Sequence, residues 1–400
     1  MQTSVNVLRR VLPSVLAAVL LTGCSAAADA EPESVAPAAT RAAAPLITVS
    51  VPDGSTAVEP DSALRVATTS GTLTSVRVDP ADGGDERAHV AVRGSMDHDR
   101  RAWTAERTLS PATKYEVEAV AAGPGGRRTT TRTSFTTLSP GLTNRALLGP
   151  GDDQVVGIGM PVTLQFDHPV TDRAAVERKL KVTTRPETAG SWGWVRDPHT
   201  SKERVDWRPD AYWRPGTEVT VRAELSGVDT GGGRYLSRDI STRFTIGTAR
   251  VSRVDLAAHR MTVSENGRVQ RVIPVSGGGP ATPTYNGTTV VMDKDAEIRM
   301  NSETVGLGSA YDMDVEWAVH LTTSGTYLHA APWNASLIGN SNASHGCIGM
   351  NTDDAQWFYD QARPGDIVVT TGSEGATVDV GNGLGDWNLT HEQWRKRSAL

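Results

Sequence analysis

Cys347 lies in the stretch Ser341–Asn351, which reads "SNASHGCIGMN", and the chain has only one other cysteine, Cys24, in 400 residues. Residue type alone leaves Cys347 four fates: a nucleophile, a metal ligand, half of a disulfide, or a small core residue. A cysteine attacks a carbonyl as the thiolate, so it needs a base or a cation beside it. Of nine histidines, His320, His329 and His345 fall closest before it. In extended chain His345 and Cys347 point to one side, although Gly346 between them leaves the local turn open. His329 ends the strand-like run "GTYLHAAPW", a suitable seat for a general base. Gly346 has a mechanical reading. A backbone amide aimed at a developing oxyanion needs unhindered approach, and glycine permits the dihedrals of such a turn. A helix predicted to start just after the cysteine, capped by Thr352, would add partial positive charge nearby. His329, His345 and Cys347 also make a conceivable metal ligand set, but no carboxylate or second cysteine supports it. His320 sits in an apolar-alternating run and reads as structural. The other six histidines, from His89 to His391, read as surface or turn residues.

These residues need elements to hold them. Runs such as "LRVATTS", "SVRVDP" and "HVAVRG" alternate at period two and read as half-buried strands. Thirty-nine glycines and 22 prolines, clustered in stretches such as "DPADGGDE" and "AAGPGGRR", supply turns for a β-rich architecture. An internal repeat divides the front of the chain. "WTAERTLSPATKYEVEAVA" (103–121) is similar to "WRPDAYWRPGTEVTVRAEL" (207–225), and each unit closes on a similar strand, "TSFTTLSP" or "TRFTIGT". Two units of about 100 residues made of short strands have the texture of immunoglobulin-like sandwiches. They are placed at 46–138 and 139–248. A third unit follows from 249 to 378, with a hairpin signal at Asn266-Gly267, a segment from Val315 to Thr322 that reads equally as strand or helix, and the closing strand "PGDIVVTTG". An extension, 379–400, carries Trp387 and Trp394, which are expected to pack back onto that last unit.

The first 23 residues combine Arg9 and Arg10 with an apolar segment, Val11–Leu21, too short to span a bilayer, and so read as a signal peptide. Leu21-Thr22-Gly23-Cys24 resembles a bacterial lipobox, which implies a lipid on Cys24, and Ser/Ala/Pro-rich sequence over 24–45 reads as a flexible tether. A lipidated Cys24 leaves Cys347 without a disulfide partner in an exported protein. The net charge of −6, with no basic patch, argues against a nucleic-acid partner.

"GTYLHAAPW" followed by "SNASHGCIGMN" resembles the signature of the L,D-transpeptidase catalytic domain: a histidine, a spacer, then Ser-His-Gly-Cys. "TPTYNGTTVVM", "DAQWFYDQARPGDIVV" and "GNGLGDWN" match further segments of that family, and the lipobox with two immunoglobulin-like units is similar to its actinobacterial members. The resemblance implies a mainly β chain: two sandwiches, then a β-rich catalytic domain with a short helix after the cysteine and the C-terminal tail packed on it. It implies Cys347 as nucleophile, His329 as base, His345 and Gly346 shaping the loop, Ser344 orienting it, and the amides of Gly346 and Cys347 as oxyanion donors. Met300 and Tyr311 match the start and the tyrosine of an active-site flap, with the Tyr311 hydroxyl assisting the oxyanion. Gly325 matches a position whose carbonyl helps hold the base, and Trp333 lines the approach. Three positions depart from the family pattern: Ala330 where many members have serine, Gly349 where asparagine is frequent, and Val305 where some have a second flap tyrosine. With Ala330, orientation of the base passes to backbone carbonyls. Gly349 removes a side-chain contact to substrate or loop.

The implied reaction is acyl transfer from a peptidoglycan stem peptide through a thioester, needing no metal or cofactor and giving a 3→3 cross-link. Water as acceptor would make the protein an L,D-carboxypeptidase, and a dead site would leave a wall-binding lipoprotein. Carbapenems are the implied inhibitors. The implied location is the outer face of the membrane, with the sandwiches as a stalk.

Overall fold

A computed structural model describes residues 43–81 and 91–400; Cys24, His89, the leader and most of the tether lie outside them. Strands dominate, and their alternation explains them. In Lys114–Ala122, Tyr115, Val117, Ala119 and Ala121 turn inward while Lys114, Glu116 and Glu118 stay outside.

The first repeat unit forms two four-stranded sheets. One runs in the order Ile47–Val49, Arg65–Thr68, Ala102–Ala105, Gly94–Met96; the other runs Ser55–Val58, Arg128–Thr137, Lys114–Ala122, Thr72–Pro80. Between them lies one core around Leu64, Leu73, Trp103, Tyr115 and Phe135. The second unit repeats this plan over 146–246, and the repeated segments take equivalent places. Trp103 and Trp207 are buried on strands of one sheet, and Lys114–Ala122 and Glu218–Ala223 each pair with their unit's closing strand.

From Arg250 the chain builds a five-stranded sheet in the order Arg268–Pro274, Arg260–Glu265, Arg250–Asp255, Ile367–Thr371, Gly287–Val290. The Asn266-Gly267 hairpin is present, with both residues at positive φ (48° and 78°), as a tight two-residue turn requires. A second sheet runs Lys294–Asn301, Asp312–His320, Tyr327–Ala330, Ile348–Met350. The segment left open between strand and helix is therefore strand. The helix Thr352–Gln361 packs under this sheet, burying Ala355 and Phe358 in the core with Leu328, Ile348 and Met350.

Two details differ from the sequence reading. The cap of that helix is Asn351, whose side chain accepts from Asp354 N at 2.8 Å, rather than Thr352. The tail meets the catalytic unit at Asn382 and Asn388, which bond Ser324 and Thr288, and Trp387 packs in one cluster with Val290 and Ile367 as expected, but both indoles also bond beyond that unit. Trp387 Nε1 donates to Gly159 O (2.8 Å) and Trp394 Nε1 to Ser191 O (3.0 Å), both in the second sandwich. The reason is space: Gly193 has no side chain where Trp394 lies, and a Cβ there would sit 2.7 Å from the indole.

Candidate active site

The pairing of Tyr327–Ala330 with Ile348–Met350 creates the site. These strands are parallel, with His329 opposite Gly349, so the residue before the second strand, Cys347, comes up beside the first. Cys347, His329, Ser344, His345, Tyr311, Met300, Trp333 and Gly349 line one cavity of about 200 Å³. Gly325 and Gly346 do not line it, but Gly346 adjoins Cys347 in the chain and Gly325 O lies 3.5 Å from Cys347 Sγ. The structure thus gathers the residues singled out in the third unit. His320 lies apart: its Nε2 donates to Thr322 O (2.7 Å), and it stacks on Tyr327.

His329 is buried, with Trp333 stacked near it, its ring centroid 6.0 Å away. His329 Nδ1 lies 2.7 Å from Ala330 O. A carbonyl only accepts, so the proton sits on Nδ1, and Nε2 carries the lone pair. Burial pushes this imidazole below its ordinary pKa. Burial also pushes the Cys347 thiol up to about 11, against an opposing hydrogen bond from the Tyr327 backbone. At rest the pair is a neutral thiol and a neutral imidazole.

The backbone around the thiol corrects three expectations. The Gly325 carbonyl does not hold the histidine; it faces Cys347 Sγ at 3.5 Å, and Ala330 O orients the ring. The Gly346 N–H is engaged, donating to Ser344 Oγ at 3.1 Å, so it is not open to an oxyanion. Ser344 in turn donates to Cys347 O at 2.5 Å, which fits the loop-orienting part expected of it. Finally, the strand Ile348–Met350 intervenes before the helix. Three strand residues span about 10 Å, and the helix-end field fades within a turn, so it does not charge the thiol.

Gly346 has φ +121°, a conformation that other residues adopt only with strain. Gly349 is buried, and a Cβ there would stand 2.9 Å from Ala331 Cβ, so this pocket has no room for the frequent asparagine.

The opposite wall is the hairpin Lys294–Asn301 and Asp312–His320 with its connecting loop. Met300 pairs with Met313 across it, and Tyr311 packs on His345, ring centroids 5.3 Å apart. Burial, then the neighbouring Cys347, raise the Tyr311 phenol above its usual pKa, so it remains a donor at neutral pH. Val305 packs on Gly325, where a Cβ would come within 2.6 Å of its Cγ1. Met313, Val315 and Ser276 also line the cavity and were not foreseen. The alternation in "DMDVEW" puts Met313 and Val315 on one face and was a usable signal.

A half-buried neutral thiol, a base with its lone pair free and donors on two sides suit covalent acyl transfer. Comparison with known proteins places the chain in a family. A model of the L,D-transpeptidase catalytic domain matches residues 249–370, and one of a bacterial Ig domain matches residues 55–229. L,D-transpeptidase 2 of Mycobacterium tuberculosis (strain CDC 1551 / Oshkosh) is 36% identical over 359 residues, covering 89% of this chain and 85% of its own. L,D-transpeptidase 5 of Mycobacterium tuberculosis (strain H37Rv) is 35% identical over 81% of this chain and 73% of its own. A solved structure of the L,D-transpeptidase LdtMt1 in complex with imipenem aligns at 37% identity over 58% of this chain and 99% of that one, with a TM-score of 0.48. The fold is thus that of a transpeptidase carried behind immunoglobulin-like domains. The chain belongs to the L,D-transpeptidase family.

Proposed function

We propose that this transpeptidase acts on peptidoglycan stem peptides, with Cys347 as the nucleophile and His329 as its base. The observation that carries the reading is a thiol sharing one pocket with an imidazole whose Nδ1 proton is committed to Ala330 O. The basic atom is then Nε2. As Sγ bonds to the L-centre carbonyl carbon of diaminopimelate, the thiol proton passes to Nε2. The oxyanion is met by the Cys347 N–H and the Tyr311 hydroxyl. Collapse breaks the C–N bond to the terminal D-Ala, whose nitrogen takes the proton from His329. The side-chain amine of a neighbouring diaminopimelate then attacks the thioester and gives a proton to Nε2. Collapse releases the sulfur, which His329 reprotonates, and a 3→3 cross-link is complete.

A β-lactam carbonyl admits the same first attack, but its broken C–N bond stays tethered, so the acyl-enzyme persists. The imipenem complex of a relative supports carbapenems as inhibitors here. The Leu-Thr-Gly-Cys leader supports export and a lipid on Cys24, which would hold the protein on the outer membrane face. Labelled fatty acid should enter the wild type and not Cys24→Ala.

The main test is intact mass after incubation with a carbapenem. One adduct is expected on the wild type and none on Cys347→Ala, while His329→Ala should fold and acylate poorly at neutral pH. An adduct that survives Cys347→Ala overturns the assignment.

A further inference from the structure

The loop Gly277–Thr284, "GGGPATPT", which leads into the "TPTYNG" segment, wraps the nucleophile loop. Gly277 O accepts from Ala343 N (2.8 Å) and Ser344 N (2.9 Å), and Gly279 N donates to Ser344 O (2.9 Å). Contact is close enough that a Cβ on Gly278 would lie 3.0 Å from Gly346 Cα. At the centre is Thr284, 2% exposed. Its Oγ1 accepts from Gly278 N (2.8 Å) and donates to Gly346 O (2.9 Å).

Gly346 O and Cys347 N belong to one peptide unit. In a trans peptide the C=O and N–H point in opposite directions, so fixing the carbonyl fixes the amide. The Gly346–Cys347 unit follows a residue without a Cβ, which restricts its rotation least. Ser344 holds the preceding amide, Gly346 N–H, and the following carbonyl, Cys347 O. Neither contact sets the carbonyl between them, and Thr284 does. With the Gly346 N–H engaged, the Cys347 N–H is the amide left to this loop for an oxyanion.

We propose that Thr284 is a positioning residue for the oxyanion site: its hydroxyl pins the Gly346 carbonyl so that the Cys347 N–H is held ready for the charge that develops on the substrate. The proposal rests on the reading of Cys347 as the nucleophile. Thr284 is buried and does not line the cavity, so its effect passes through one peptide plane. Removing a single oxyanion donor in other enzymes costs about 100- to 1000-fold in rate. Loosening one should cost less, on the order of 10- to 100-fold.

The test measures carbapenem acylation over a range of concentrations, separating the maximal rate from the half-saturating concentration, with melting temperatures alongside. Thr284→Val keeps the shape and removes the hydroxyl; Thr284→Ser keeps the hydroxyl. The expected result is a maximal rate lowered roughly 10- to 100-fold in T284V, an unchanged half-saturating concentration, and near wild-type rates in T284S. A wild-type rate in T284V, equal losses in T284V and T284S, or a loss confined to half-saturation overturns the proposal. Should T284V not fold, Thr284→Cys replaces it under the same criteria, and failure of both to fold assigns the hydroxyl to folding and also overturns it. Absence of any adduct on the wild type would instead sink the nucleophile reading, so the two failures are distinguishable.

Discussion

A thiol and an imidazole that are both desolvated rest without charge, and that decides how the pair titrates. Burial lowers the His329 pKa, so this base stays neutral and competent below the ordinary histidine range near 6.5. Burial raises the thiol to about 11, so below that pH the proton leaves only during attack. Acylation should therefore stay nearly flat from about pH 7 to 9 and fall on the acid side only below the ordinary histidine pKa. Alkylation by iodoacetamide, which needs a pre-formed thiolate, should be slow at pH 7 and climb toward pH 11. Mass spectrometry of both reactions across pH checks this. Rapid alkylation at pH 6 to 7 would mean a resting thiolate–imidazolium pair and would contradict the account. The residue types and spacing that point to this pair were legible in the sequence because they depend on short stretches. Which way each backbone group points was not. Gly325 O facing sulfur and Gly346 N–H bound to Ser344 are properties of folded loops.

Elements carry the next level of control, and Gly325 joins two of them. Its carbonyl receives the thiol, while its missing side chain makes room for Val305 on the opposing hairpin loop. Gly325→Ala would put a Cβ 2.6 Å from Val305 Cγ1 at a residue with φ +89°. Both the overlap and the strained backbone must be relieved, by displacing the loop, the carbonyl or both, at a cost of about 1–3 kcal/mol. The expected outcome is a lowered melting temperature and slower acylation. Adding Val305→Ala should return the steric part of the loss and leave the φ part. If the double variant is no better than Gly325→Ala, the contact is not what couples hairpin to thiol. Period-two patterning and the Asn-Gly turn made the strands of this unit readable in advance, since those signals are local. Thr284 bonding a carbonyl 62 residues away carries no such pattern.

At the scale of the whole molecule the two sandwiches are attached in different ways. The first meets the second through polar pairs: Arg107 with Asp239 (2.7 Å), Tyr235 with Glu59 (2.7 Å), Ser226 with Ser110 (2.9 Å). Its core is its own. The second shares a core with the catalytic unit, where Ile158, Trp213 and Phe244 pack in one cluster with Val290 and Ile367. Backbone crosses the seam as well, from Gly157 N to Pro364 O and Gly159 N to Gly365 O, both 2.8 Å. The tail closes it: Arg208 lies over the rings of Trp387 and Trp394, 4.6 and 5.1 Å from their centroids. Partners of those tryptophans are more than 200 residues away in sequence, which is why the tail's destination could not be read there. Trp394 is fully buried, so Trp394→Ala should cost about 3–5 kcal/mol and lower the melting temperature by roughly 10 °C. Calorimetry should show that loss in the transition that also unfolds the catalytic unit.

An apolar seam makes two domains one body, whereas a polar seam leaves them separable. A chain beginning at residue 139 keeps the shared core and the tail's seat, so it should fold and acylate with a carbapenem at close to the full-length rate. A chain beginning at residue 249 would bare Val290, Ile367 and the partly buried Val251 and Val369 together, with no partner for Trp394. A contiguous apolar face of that kind favours aggregation. It should be insoluble, or melt far below the longer chain. Soluble, fully active protein from the 249 start would show that the catalytic unit does not depend on the second sandwich, and the shared core would then be packing without mechanical consequence.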